Sequence, residues 1–148
     1  MVEAIIAVSV FTIGIVAILS LLSRSTGLSQ EVGNKFIAAH LAAEGAEIVK
    51  NIIDENFAKK NPWNKNVSNG TYEVSYDNRS LSPNQGRFLN FSKGFFSYSA
   101  GTSTIFKREV TVQAVSQSEV RINAIVRWTA RGRSQQVNVE DHFYNWRP

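Results

Sequence analysis

The first stretch of the chain is apolar throughout, with no charged side chain between Ala4 and Leu22. An uncharged helix of about 19 residues with a rise of ~1.5 Å per residue can cross a hydrocarbon core ~30 Å thick. About a dozen of these residues are Ile, Leu, Val or Phe, and each favours insertion by roughly 0.3 to 0.6 kcal/mol. The pattern therefore predicts a helix that lies in lipid or against other apolar helices.

A cleaved secretory signal is the alternative interpretation of this segment. Such a signal begins with a positively charged region, whereas this chain carries Glu3 there. It also ends at a small-x-small cleavage site. Ser23-Arg24-Ser25 matches such a site poorly, because the helical periodicity continues beyond it. We expect the segment to stay in the mature protein.

An amphipathic pattern follows without a break. Charged residues such as Glu44 and Glu47 lie opposite an apolar stripe. The stripe recurs mostly at spacings of three or four and comprises Leu28, Val32, Phe36, Ile37, Leu41, Ile48, Ile52 and Phe57. Because no proline occurs before Pro62, one helix of about 55 residues, roughly 80 Å long, is expected to end between Phe57 and Lys60. A small head cannot bury a helix of that length, so its first half needs lipid or sister helices around it.

Period-two alternation dominates the last third of the chain, with one apolar and one polar face per segment. The strands predicted in this way are 106–114, 120–130 and 135–144, with a shorter candidate at 71–76. Turns at 116–119 and 131–133 connect the long strands as an antiparallel meander. We expect residues 77–103, rich in Ser, Asn and Gly, to be irregular. The predicted fold class is α+β: a long N-terminal helix packed on a C-terminal antiparallel sheet of three or four strands.

Length and composition fit one domain with an appendage. The chain has 148 residues, of which 43% are hydrophobic and 19% charged, so it can build a core. We divide it into an apolar helix at 1–27, an amphipathic helix half at 28–60 and a β head at 58–148. Cysteine is absent, which leaves no disulfide framework and no thiolate site.

Residues that could support catalysis or cofactor binding do not form a recognisable motif. His40 and His142 are far apart in sequence and lack metal-ligand spacing. Glu140 and Asp141 precede His142 directly, so in a strand Asp141 points away from its two neighbours. No nucleophile elbow or Walker loop occurs. We expect no enzymatic activity, no metal or cofactor, and no small-molecule substrate.

Four arginines near the predicted last hairpin could form a basic patch: Arg121, Arg127, Arg131 and Arg133. Arginines of this kind contact phosphates in DNA-binding proteins, but they also occur on ordinary solvated sheet faces. The net charge of +4 allows contact with DNA without arguing for it, and no nucleic-acid-binding motif accompanies these residues.

Bases and aromatics interleave in the segment predicted to be irregular, namely at Arg87, Phe88, Phe91, Lys93, Phe95, Phe96 and Tyr98. Three interpretations remain open. The segment is a stacking platform for nucleic-acid bases, a loop that folds its aromatics over the sheet, or a contact with a neighbouring subunit.

The order of apolar helix, amphipathic helix and antiparallel sheet resembles that of type IV pilins and pseudopilins. The N-terminal segment MVEAIIAVSVFTIGIVAILSLL is similar to the family's start, in which a Glu closely follows a processed, methylated aromatic N-terminus. Glu3 matches that Glu, and Gly14 matches a glycine often found midway along the apolar segment. The C-terminal runs FKREVTVQAV, VRINAIVRW and VNVEDHFYNW resemble minor pilins of the PilV kind. The resemblance covers nearly the whole chain.

This resemblance implies a role in assembly for Glu3 and Gly14. Glu3 would pair with the α-amino group of a neighbouring subunit and set the stagger, whereas the alternative is a Glu stabilised by the helix dipole. Glycine costs a helix interior ~1 kcal/mol relative to alanine. The segment from Gly14 to about Ser23 would therefore unwind in the assembled state, unless the helix stays continuous and Gly14 only allows close packing.

The resemblance also implies a function and a location. The subunit would wait in the cytoplasmic membrane and then pack against copies of itself and other pilins in a cell-surface filament. That filament would serve adhesion, motility or DNA uptake, or act as the pseudopilus of a secretion system. The alternative is a minor or tip-located module that binds DNA or surfaces. The family's leader peptide and first mature residues are not in this sequence, which we expect to begin a couple of residues late. The family's C-terminal cysteine pair is missing too.

Overall fold

The computed structural model describes residues 1–76 and 80–146, and these residues have the α+β fold that the sequence predicts. One long N-terminal helix is followed by a main antiparallel sheet and a second, smaller sheet. The chain divides into two compact units, 1–34 and 35–148. The helix–sheet packing described below lies within the second unit.

Helix α1 runs from Val2 to Ala58 without interruption and ends where the sequence predicts. Lys60 adopts a left-handed conformation with φ of 56°. Its N–H donates to the carbonyl of Phe57, and the N–H of Asn61 donates to the carbonyl of Asn56 at 2.9 Å. These two bonds define a Schellman motif, which closes the helix here although Lys60 stands where glycine is usual.

The strands of the structure are β1 (Gly70–Glu73), β2 (Ser82–Pro83), β3 (Asn90–Ser92), β4 (Phe95–Ser97), β5 (Thr102–Ser103), β6 (Lys107–Ser116), β7 (Glu119–Ala130) and β8 (Arg133–Tyr144). The main sheet has the order β2-β1-β6-β7-β8, and every pairing in it is antiparallel. The three long strands form the predicted meander. Two short strands, β1 and β2, extend the sheet to five strands.

A two-residue turn joins β7 to β8 and fixes their register. Arg131 and Gly132 have φ values of 52° and 72°, and Ala130 pairs with Arg133. Positive φ at both turn positions is typical of a type I′ turn, whose twist matches that of the flanking strands. The β6–β7 turn is less regular, because the pairing register shifts between Ala114 and Ser116.

The prediction of an irregular segment at 77–103 is wrong for the part that forms strands, while 77–79 lie outside the described residues. Strands β3, β4 and β5 form a second antiparallel sheet of order β4-β3-β5. Its hairpin turn is Lys93-Gly94, again with positive φ at both residues, 51° and 88°. Strands of two or three residues are too short for alternation to show, so the Ser- and Asn-rich composition concealed them.

The core lies between one face of the helix and one face of the main sheet. It includes Ala38, Leu41, Ala42, Val49, Ile53, Val110, Ile122, Ala124 and Val126. The alternation predicted for β7 is confirmed, since its even positions from Val120 to Trp128 are all buried. The helix stripe begins later than the sequence suggests, because Phe36 is exposed and burial starts at Ala38.

Candidate functional site along helix α1

The apolar N-terminal part of α1 is uncovered. Every large apolar side chain from Val2 to Leu22 is exposed. By length and composition α1 can cross a membrane, and the span in question is not buried inside the structure. The prediction of a membrane-spanning helix thus agrees with the structure, in which these side chains are exposed among the described residues.

Two hydroxyl groups in this segment, those of Ser9 and Thr12, turn back onto the helix. Ser9 donates to the carbonyl of Ile5 at 2.7 Å, and Thr12 donates to that of Val8 at 2.6 Å. Hydroxyls bonded to the preceding turn leave no unsatisfied donor facing hydrocarbon. The hydroxyls of Ser9 and Thr12 are therefore compatible with a lipid environment.

Glu3 lies in the first turn of α1. The exposed N–H groups of a helix N-terminus favour a carboxylate at this place. No other side chain from Met1 to Ser23 is charged. Pairing of Glu3 with a neighbouring subunit involves a second chain and stays a prediction.

Gly14 lies inside the continuous helix, and a Cβ added there would meet no heavy atom of another described part of the chain within 4 Å. In the single chain, therefore, no close contact requires glycine at this position. Unwinding from Gly14 to Ser23 concerns the assembled state and stays a prediction.

The uncovered apolar stripe continues beyond the length that a bilayer needs. Leu28, Val32 and Phe36 are 63%, 59% and 65% exposed. The Phe36 ring meets the edge of the His40 ring, with ring centroids 4.4 Å apart. A span of ~20 residues already fills the hydrocarbon core, so these three side chains need a different cover.

The four arginines predicted as a patch do not all lie together. Arg121 and Arg127 share the outer face of β7, but six residues place them about 20 Å apart. Arg131 is in the β7–β8 turn, and Arg133 starts β8. Arg127, Arg131 and Arg133 thus lie towards the hairpin end of the sheet, whereas Arg121 lies towards the other end.

Neighbouring side chains modify this patch. Arg127 forms a 2.6 Å ion pair with Glu109, and Arg121 donates to the side-chain oxygen of Gln113. Lys107 lies directly opposite Arg127 in the sheet. The hairpin end therefore gains a lysine that the sequence prediction did not include.

Sequence reasoning missed Arg108, whose side chain is fully buried between α1 and the sheet. Its guanidinium donates to the carbonyl of Leu41 at 3.0 Å and to that of Val74 at 2.5 Å. Glu44 is its counter-charge at 3.4 Å. A signal was available, because Arg108 occupies an even position on the apolar face of β6. The structure shows that it links β6 to the helix and to Val74, the residue that follows β1.

A buried carboxylate, Glu73, holds the loop after β2. It accepts the backbone N–H groups of Gln85 and Arg87 at 3.0 and 2.9 Å, and the Arg87 guanidinium at 2.7 Å. Burial alone raises the pKa of Glu73, but these donors and the Arg87 charge outweigh it, so the pKa lies below its usual value.

His142 bridges two carboxylates on the outer face of the sheet. Its Nδ1 lies 2.7 Å from Glu119, and its Nε2 lies 3.3 Å from Glu140. Hydrogen bonding to Glu119, and to a smaller extent to Glu140, raises the pKa of His142 above 6.5. Among residues 1–76 and 80–146 no group of three or more acidic or histidine side chains is arranged to hold a metal ion.

The interleaved aromatics divide between core and surface. Phe96 and Tyr98 pack against the core, whereas Phe88, Phe91 and Phe95 are exposed. Cations cover two of the rings: Lys107 lies 4.5 Å from the ring centre of Phe88, and the Arg87 guanidinium lies 5.0 Å from that of Tyr98. The interpretation as a loop folding over the sheet fits Phe96 and Tyr98, and the other two interpretations remain open for the exposed rings.

The geometry defines an α+β protein with a candidate membrane-spanning helix and a β-sheet head. Comparison with protein-family models, with curated proteins and with solved structures gave no match. The resemblance to type IV pilins therefore rests on the residues and on the fold class.

Proposed function

We propose that this chain is a structural subunit of a type IV pilus or a related filament such as a pseudopilus. In this proposal the apolar segment 1–27 holds the subunit in the cytoplasmic membrane until assembly. Helix-to-helix packing of the same segment then joins copies of the chain, with other pilins, into a filament at the cell surface. The β head forms the outer part of that filament.

The observation that carries the proposal is the exposed stripe of Leu28, Val32 and Phe36. A membrane anchor needs only ~20 apolar residues, and these three lie beyond that span. Packed α-helices would bury such a stripe as knobs between the side chains of neighbours. Sister helices thus account for the whole uncovered surface, whereas lipid accounts for its first part alone.

Two residues have specific roles in this assembly. Glu3 is costly in hydrocarbon unless it is partnered, so pairing with the α-amino group of a neighbour favours one stagger of subunits. Gly14 weakens the helix where the surrounding chains can take over its backbone hydrogen bonds. Both roles are realised only when several chains meet.

The experiment compares two substitutions of exposed valines in cells that naturally make this chain. Val32→Asp places a charge on the stripe, and Val115→Asp places the same charge in the sheet, where Val115 is similarly exposed. Filaments are sheared from the cells and the chain is detected in the sheared and membrane fractions. We expect the Val32→Asp variant to be absent from the sheared fraction but present in the membrane fraction. The Val115→Asp variant should be present in both fractions.

The alternatives give different results. Absence of the unmodified chain from the sheared fraction contradicts the filament proposal. Presence of Val32→Asp there at the unmodified level shows that the stripe is not an assembly surface. Tryptophan fluorescence of each purified variant checks that the head is folded, because Trp63 and Trp128 are buried in it.

A head that binds DNA, in a minor or tip-located subunit, is the second candidate. It is supported by Arg131 and Arg133, which are exposed at the hairpin end near Arg127 and Lys107. Binding to phosphates releases counterions from the DNA, and this release is less favourable at higher salt, so the affinity falls steeply as salt is added. Duplex DNA should therefore bind less tightly at 200 mM than at 50 mM salt, and binding should be lost in Arg131→Ala/Arg133→Ala. Binding unaffected by that variant contradicts this candidate.

A further inference from the structure

The two edges of the main sheet differ in a way that points to a partner. One edge is β2, which has two residues and includes Pro83. A short strand with a proline, which has no N–H, cannot template another strand. The other edge is β8, which has 12 residues and no proline. Only β7 pairs with β8 among the described residues.

The hairpin register shows which backbone groups of β8 point away from the sheet. Ala130 and Arg133 flank a two-residue turn and therefore form a hydrogen-bonded pair. From there the odd-numbered residues of β8 bond to β7, and the even-numbered ones direct their N–H and C=O groups outwards. These are Ser134, Gln136, Asn138, Glu140, His142 and Tyr144.

One of these outward groups is already used within the chain. The N–H of His142 donates to the Asp141 carboxylate at 2.8 Å. The available edge therefore runs from Ser134 to Glu140. Such an edge is a template for an added antiparallel strand.

We infer that β8 pairs antiparallel with β8 of a second copy of this chain, about a two-fold axis at Val137. In this register Gln136 of one copy forms a hydrogen-bonded pair with Asn138 of the other, and Ser134 with Glu140. Each pair occurs twice by symmetry. Val137 faces Val137 across the axis, on the side of the sheet that carries the core.

Charge complementarity selects this register. It places Arg133 of one copy opposite Asp141 of the other, twice, while Glu140 faces an uncharged serine. An axis at Asn138 would bring His142 into the ladder, although its N–H is already taken. An axis at Gln136 would pair Glu140 with Gly132 in the turn. An axis between two residues would place even-numbered residues of one copy opposite odd-numbered residues of the other. The odd-numbered backbone groups already bond to β7, so no ladder of hydrogen bonds could form.

This contact does not rest on the proposed function. A two-fold contact is complete with two copies, whereas filament growth needs contacts that repeat without closing. Pairing of β8 therefore joins two heads, whether or not the apolar helices assemble.

A cysteine test is direct because the chain has no cysteine of its own. Residues facing each other in a non-hydrogen-bonded antiparallel pair have Cα atoms about 4.5 Å apart, within disulfide range. Val137→Cys in the full chain, in detergent under oxidising conditions, should therefore give a covalent dimer. Val139→Cys is the matched control. In the proposed register position 139 faces position 135 of the other copy, so the two copies' positions 139 are four residues, or about 13 Å, apart along the strand. It should not cross-link.

A charge swap tests the register separately. Arg133→Asp places an aspartate opposite Asp141 of the other copy at both symmetric positions. Dimer affinity measured by analytical ultracentrifugation should therefore fall about tenfold. Arg133→Asp/Asp141→Arg restores opposite charges, and affinity should return towards the original value. Equal cross-linking of Val137→Cys and Val139→Cys, no cross-linking of either, or no recovery in the double variant overturns the inference.

Discussion

Substitution of Gly45 is the sharpest test of how closely the helix and the sheet pack. Gly45 lies on the buried face of α1, and an added Cβ would lie 3.1 Å from both Arg108 Cδ and Val110 Cγ2. Leucine would add three more carbon atoms in the same direction. Arg108 would have to move, although it is held by the carbonyls of Leu41 and Val74.

The size of the effect follows from opposing contributions. Overpacking a core costs ~1–3 kcal/mol, and weakening one hydrogen bond from a buried charged group costs ~1.5–3 kcal/mol. Replacing glycine by a better helix former stabilises the helix by ~1 kcal/mol. We therefore expect Gly45→Leu to lower the free energy of unfolding by about 1.5–5 kcal/mol, a large part of the ~5–15 kcal/mol typical of a domain.

Gly33 supplies the matched control, because no heavy atom lies within 4 Å of a Cβ added there. Gly33→Leu carries the same helix-propensity gain without the packing cost. Urea unfolding of the full chain in detergent, followed by tryptophan fluorescence, should show a lower midpoint for Gly45→Leu alone. Equal midpoints for the two variants would refute the close helix–sheet approach at Gly45.

Three further predictions concern single side chains of the head. Because the pKa of Glu73 is lowered from 4.5, its stabilisation is present above that pH and is lost as pH falls through the lowered pKa; Glu73→Gln should abolish this acid dependence of the urea midpoint. Because the pKa of His142 is raised above 6.5, its stabilisation is complete below pH 6.5 and is lost as pH rises through the raised pKa. NMR titration should show this pKa, and Glu119→Gln should lower it. Arg131→Asn should raise the urea midpoint by the equivalent of ~0.5–1 kcal/mol, because asparagine tolerates the left-handed φ of 52° better than arginine.

Each of these predictions has a result that contradicts it. An unchanged acid profile in Glu73→Gln would mean that another carboxylate controls acid unfolding. A His142 pKa at or below 6.5 would mean that its two carboxylate contacts do not persist in solution. A lower midpoint for Arg131→Asn would mean that the arginine side chain contributes more than its backbone costs.

The helix and the long strands were predictable because their signals are long and repetitive. No proline precedes Pro62, and β7 alternates over most of its twelve residues, with Ile125 as the apolar exception on the polar face. The second sheet was not predictable in this way. Its strands have two or three residues, and their pairing depends on the Lys93-Gly94 turn rather than on alternation.

The buried charges were harder to predict for a different reason. Arg108 and Glu73 bond to partners far away in sequence, such as the carbonyl of Leu41 for Arg108. Composition and periodicity report only neighbouring positions, so a long-range carbonyl acceptor leaves no local signal. The placement of Arg121 apart from the other arginines depends likewise on register, which the sequence pattern fixes only for whole faces.

The apolar stripe on α1 changes from exposed to buried within a single step of the helix. Ile37 is 37% exposed and Ala38 is fully buried. From Ala38 onward the stripe packs on the chain's own sheet, so substitutions there alter the stability of the head. Before Ala38 the large apolar residues are exposed, so substitutions there leave the head intact and act only where lipid or another chain provides the cover. In the proposed assembly, folding and association would therefore depend on separate parts of one continuous helix, with Gly45 reporting on the first and Val32 on the second.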